Sequence, residues 1–102
     1  MKRPWSALAT AFVAGVVLCC GSGLRRDEID CEEAVSHLHD CCVGINPSAF
    51  NCRYVQGCQS DTHPVISVPV SVCIQNESCE ALRASGMCTR AQAGPTGVQT
   101  CP

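Results

Sequence analysis

The chain has 102 residues, seven basic and nine acidic, for a net charge of −2, and it carries 11 cysteines. That length holds one domain at most. A weakly acidic chain whose only lysine is Lys2 lacks the basic footprint of a nucleic-acid binder and the polybasic face that holds a protein on anionic lipid.

Lys2 and Arg3 give a basic start, followed by the uncharged run WSALATAFVAGVVL at 5–18. The run is shorter than the roughly 20 residues of a membrane span, and a basic stretch followed by an apolar one is the pattern of a secretory signal peptide. The reading is a signal peptide over 1–19, in preference to an uncleaved anchor helix. The run ends in VVLCCGSG, 16–23. A cysteine directly after such a run resembles the cleavage box of bacterial lipoproteins, in which the cut falls before a cysteine that already carries lipid. Val17-Leu18-Cys19 places a fairly small residue before Cys20, whereas a bulky leucine precedes Cys19. The resemblance therefore implies Cys20 as the lipid anchor, with the membrane as partner. Gly21-Ser22-Gly23 and LRRDEID then read as a flexible tether over 20–30.

Beyond residue 20 there are five arginines against nine acids, a net charge of −4, and the only aromatics are Phe50 and Tyr54. A chain this short buries little surface and is marginal without help. The help is Cys31, Cys41, Cys42, Cys52, Cys58, Cys73, Cys79, Cys88 and Cys101, a density that marks a disulfide scaffold in an oxidising compartment. Each bridge contributes about 2–4 kcal/mol, comparable with the whole stability of a small domain. With Cys20 as the anchor the count is odd, which points to a free thiol or to a bridge with another chain. The pairing stays open.

Within the module, 31–102, the spacing of Cys31, Ala34, Val35, Leu38 and Cys42 predicts a helix over 30–43, with Glu32, Glu33, Ser36 and Asp40 on the opposite face. Asp30 with Glu33 resembles a capping box, Gly44 suits a left-handed stop, and Asn46-Pro47 blocks continuation. A second helix is expected over 47–56, where Phe50 and Tyr54 would share a face. VISVPVSV at 65–72 alternates with period two and reads as an extended strap, Pro69 lying on its outward set. A third helix is expected over 76–85, capped by Asn76 or Ser78 and ended by Gly86. After Cys88 an irregular tail is pinned back by Cys101. The fold class is small, disulfide-rich and mostly α, with two or three short helices, irregular or extended connections and about four bridges.

HLHDCC, 37–42, gathers the side chains that carry chemistry. On a helix His37 and His39 point about 160° apart and cannot share a metal. His37 with Cys41 and His39 with Cys42 converge, but each pair needs two more ligands and thiols kept reduced. No C-x-x-C occurs in the module. His39-Asp40 followed by cysteines resembles small secreted calcium-dependent phospholipases in two residues only. Their upstream cysteine pair, the residue between Asp and Cys, and their calcium loop are missing, so nothing carries over. His63 reads as a loop residue, and Asn76-Glu77-Ser78 as a glycosylation sequon that matters only in a eukaryote.

As a whole the chain resembles the small cysteine-rich lipoproteins of bacterial envelopes. The expectation is an exported, lipid-anchored envelope protein with a structural or binding role toward a protein partner, neither an enzyme nor a cofactor protein. Two alternatives stand beside it: a metal- or redox-handling protein using His37, Cys41 and Cys42, and a secreted, untethered effector-like peptide.

Overall fold

The computed structural model describes residues 25–101. The signal segment, Cys20 and the first part of the tether lie outside the described residues. Within them the chain forms four α-helices: α1, Arg26–Cys41; α2, Val68–Asn76; α3, Cys79–Ala84; and α4, Met87–Gln92. Single 3-10 turns occur at Pro47–Ala49 and Pro95–Val98. The expected small, mostly α, disulfide-rich fold is what forms.

Cys31, Ala34, Val35 and Leu38 are buried on α1 as the spacing predicts, but Cys41 rather than Cys42 completes the buried face of the helix. The helix starts earlier than expected, however. Residues 26–30, assigned to the tether, form its first turns, with Asp27 and Glu28 at the end where the helix dipole favours acids. Asp30 is therefore no cap. It lies inside the helix, buried, and its carboxylate accepts from Arg26 Nε one turn back at 3.2 Å. At the other end Cys42 is already extended, and its N–H bonds to the Leu38 carbonyl. Gly44 takes the left-handed conformation (φ 79°) just beyond.

The predicted helix over 47–56 is not there. Asn46 accepts from the Ser48 N–H and starts only the 3-10 turn. The chain then runs extended, drawn along α1 by the Cys31–Cys52 bridge and by the Tyr54 N–H, which donates to Glu28 Oε2 at 2.7 Å. Phe50 is buried, whereas Val55 forms an isolated antiparallel bridge with Thr62. Covalent and polar ties to α1 outweigh the weak local preference of Phe50 and Tyr54 for one helical face.

The predicted strap over 65–72 is also overturned, because α2 starts inside it. Pro69 sits in the first turn of α2, where a missing N–H costs nothing and the fixed φ is preset for a helix. Ser67 is the extended residue before it, and its carbonyl accepts from the Ser71 N–H at 2.8 Å. Ser71, fully buried, also donates its hydroxyl to the Ile66 carbonyl. The alternating valines do not share an inner face: Val68 and Val72, one turn apart, face solvent, while Ile74 is in the core.

The helix expected over 76–85 forms as the shorter α3, Cys79–Ala84, with Leu82 buried as expected. Asn76 closes α2, and Ser78 caps α3 by accepting from the Ala81 N–H at 3.0 Å. Gly86, at φ 88°, turns the chain into α4, which occupies part of the expected irregular tail. The rest of the tail is pinned, as expected, by Cys101 on Cys73. Arg90 Nε donates to the Gly97 carbonyl at 3.0 Å, and a Cβ at Gly97 would collide with the Arg90 carbonyl.

Leu38, Ile66, Ile74, Leu82, Met87 and Val98 are fully buried, so every helix and the final 3-10 turn contribute to one core. Four disulfides cross it: Cys31–Cys52, Cys41–Cys79, Cys42–Cys88 and Cys73–Cys101. Of the nine cysteines offered for pairing, Cys58 remains an exposed free thiol. The helices α1 and α2 run side by side in the same sense. Val68 and Asp27 line one hollow, Gln75 donates to the Asp30 carbonyl, and His37 meets the Glu77 carbonyl.

Candidate functional site

The HLHDCC segment is taken apart by the fold. Cys41 is bonded to Cys79 and Cys42 to Cys88, so neither sulfur is a thiolate that could attack a substrate or hold a metal. His37 places Nε2 2.7 Å from the Glu77 carbonyl, where the protonated nitrogen donates and ties α1 to the end of α2. Its ring lies 3.8 Å from the bridged Cys41 sulfur. His39 is exposed, and its Nδ1 stands 3.8 Å from Asp40, beyond hydrogen-bond reach. Among the described residues no group of three or more His, Cys, Asp or Glu side chains could hold a metal ion.

A concavity lies elsewhere. An open groove of about 700 Å³ runs between the outer side of α1 and the 47–53 segment. Val35, Pro47, Phe50 and the Cys52 bridge supply an apolar floor, and Glu32, Ser36, His39, Ser48, Asn51 and Arg53 a polar rim. That volume lies in the range of small-molecule sites. The Asn51 side-chain oxygen already accepts from the Arg53 N–H at 3.0 Å. The rim offers opposite charges in Glu32 and Arg53. No family model, curated protein or solved structure matches the chain.

A second cluster gathers at the start of α1. The Arg25 guanidinium grips Asp27 with two hydrogen bonds, 3.0 and 2.9 Å, and lies 3.8 Å above the Tyr54 ring. The Tyr54 hydroxyl donates to Asp61 Oδ2, and the Gly57 N–H donates to Asp61 Oδ1 at 3.2 Å. His63 packs against Tyr54, ring centroids 5.4 Å apart. The charges respond accordingly. The Arg25 hydrogen bond holds the Asp27 carboxyl below its ordinary value. Donation from Tyr54, then from Gly57, does the same for Asp61, and the tyrosine hydroxyl is pushed up in return. This cluster fastens the 55–62 loop, with Cys58 in it, to α1.

None of the groove and cluster contacts was assigned from the sequence. The groove walls come from 32–39 and 47–53 and become neighbours only through Cys31–Cys52. The Arg25–Tyr54–Asp61 chain needs the 50–56 segment extended. With Cys20 as the anchor the odd cysteine count points to a free thiol or to a bridge with another chain, and among the described residues Cys58 has no disulfide partner. Four disulfides mark an oxidising compartment, the cell envelope or the space outside it, as the place where the chain folds. No described helix is long and apolar enough to cross a membrane.

Proposed function

We propose that the chain is an exported envelope protein, tethered by lipid at Cys20, whose disulfide-knit module binds a partner and performs no chemistry of its own. The observation that carries this reading is the pairing of eight module cysteines across one core, which removes both sulfurs beside His37 and His39 from chemistry. The apolar run ending in Cys19-Cys20 supports the tether, and the mixed groove between α1 and 47–53 supports binding. Two acyl chains or more make a stable anchor, where one is marginal.

Intact mass of the mature protein, reduced and non-reduced, tests the reading. The expected species begins at Cys20, carries the mass of acyl chains and gains eight hydrogen atoms on reduction of four bridges. Cys20→Ser removes the acyl mass and, because the cut needs the lipidated cysteine, leaves residues 1–19 attached, which the intact mass reports. An unacylated mature chain that partitions into water overturns the tether and leaves an untethered secreted module.

A further inference from the structure

Five arginines lie beyond residue 20, and four of them hold the protein itself together. Arg25 grips Asp27, Arg26 reaches Asp30, Arg83 donates to the Cys41 carbonyl and Arg90 to the Gly97 carbonyl. Arg53 differs. Its backbone N–H meets Asn51, but among the described residues its guanidinium has no hydrogen-bond or ion-pair partner. It lies exposed on the 47–53 wall of the groove. Glu32, exposed on the α1 wall, likewise has no partner for its carboxylate among the described residues.

The Cys31–Cys52 bridge brings these two charges to one end of the groove. Glu32 follows Cys31 and Arg53 follows Cys52, and the bridged Cα atoms are 5.5 Å apart. The Cα atoms of Glu32 and Arg53 are therefore at most about 13 Å apart, and their long side chains can reach the same small ligand. From that end the groove continues along α1 past Val35 and Ser36 to His39, about 10 Å further by the helix rise. Val35, Phe50 and Cys52, all buried, make its floor.

A ligand that fits carries a negative and a positive group side by side at one end and an apolar body beyond them. It has no net charge, which suits a module whose own charge of −4 repels anions. An α-amino acid has that layout. We propose that the groove takes an α-amino acid with a large apolar side chain. Its carboxylate accepts from the planar fork of Arg53, its ammonium donates to Glu32, and its side chain lies on the Val35 and Phe50 floor. The proposal rests on the binding role given to this groove above and names the ligand.

The test uses the nitrogen-15-labelled mature full chain in detergent micelles. It is titrated with L-phenylalanine, with N-acetyl-L-phenylalanine, which lacks the ammonium, and with L-phenylalanine amide, which lacks the carboxylate. L-phenylalanine is expected to move the Val35, Ser36 and Phe50 amide resonances to saturation. Arg53→Gln should weaken L-phenylalanine and its N-acetyl form about twofold to fivefold and leave the amide form unchanged. Glu32→Gln should weaken L-phenylalanine and the amide form by a similar factor and leave the N-acetyl form unchanged. Both side chains are exposed, so neither substitution disturbs the core. Shifts that do not saturate, or substitutions that weaken all three ligands equally, overturn the proposal. Intact mass of the same sample separates this outcome from the fate of the tether. An acylated chain that does not respond loses the ligand and keeps the tether, and an unacylated chain that responds in the expected pattern loses the tether and keeps the ligand.

Discussion

Cys41 and Cys42 are adjacent in the chain yet bond to two different helices, Cys41 to Cys79 at the start of α3 and Cys42 to Cys88 in α4. The divergence arises because Cys41 is the last helical residue of α1 and Cys42 is already extended, at φ −119° and ψ 134°. One doublet thus draws both short helices under the end of α1, where Arg83 Nε also donates to the Cys41 carbonyl at 3.1 Å. Helices of six residues have no stability of their own. The doublet and the buried Leu82 and Met87 hold them in place.

Removing a bridge pairwise is expected to lower unfolding stability by about 2–5 kcal/mol. The loss for Cys42→Ala/Cys88→Ala should exceed that for Cys31→Ala/Cys52→Ala. The first closes 46 residues and the second 21, a difference of about 0.7 kcal/mol in loop entropy. Urea unfolding of the two variants checks the order, and the reverse order would refute the chain-entropy account.

Cys58 is expected to react with iodoacetamide in the folded, non-reduced protein, because it is exposed and unpaired. Peptide mapping should place the label there and recover the four bridged pairs intact. Label on Cys31, Cys73 or any other bridged position, with Cys58 untouched, would show that the pairing differs.

Gly97→Ala should destabilise the protein by about 1–3 kcal/mol, the range for forcing extra volume into a packed site. The added methyl meets the Arg90 carbonyl, and Arg90 Nε is at the same time bonded to the Gly97 carbonyl. The two segments must part, and buried Val98 moves with them. A drop in melting temperature reports the effect, and an unchanged one contradicts the close approach.

The Tyr54–Asp61 bond makes a prediction about pH. Asp61 is depressed below its ordinary 3.8, chiefly by the tyrosine hydroxyl and then by the Gly57 N–H. A carboxylate depressed by folding contributes fully above the unfolded value and loses that contribution as pH falls through the lower, folded value. The loop should therefore stay fastened from neutral pH down to about pH 4 and release only below it. Carbon-13 titration of the Asp61 carboxyl should give a midpoint under 3.8, and Tyr54→Phe should raise it. Identical midpoints in the two proteins would count against the bond.

What the sequence made legible was the face of α1 and the dependence on sulfur. Cys31, Ala34, Val35 and Leu38 are spaced for a helix, and nothing nearby competes. α2 was hidden because valines at 68, 70 and 72 alternate like a strand, while the decisive feature, Pro69 in a first turn, also fits an outward strand position. The 47–56 segment misled for a different reason. Phe50 and Tyr54 have helical spacing, yet the bridge to Cys31 and the acceptor on Glu28 lie about twenty or more residues away in sequence. His37 ends on a backbone carbonyl from Glu77, a partner that leaves no trace in residue identity. The groove depends on the same long-range ties and was invisible for the same reason.

The bridges also constrain how the protein can be made. Cys31–Cys52 and Cys73–Cys101 each interleave with both Cys41–Cys79 and Cys42–Cys88, and among the described residues no cysteine bonds to its nearest cysteine along the chain. A polypeptide delivered amino end first presents Cys31, Cys41, Cys42 and Cys52 to an oxidase well before Cys79 arrives. Links formed in order of arrival are wrong and must be undone by thiol–disulfide exchange, a matter of minutes to hours without a catalyst. Its biogenesis therefore calls for a disulfide isomerase in the receiving compartment, and a host that oxidises without reshuffling should accumulate scrambled isomers of the correct mass.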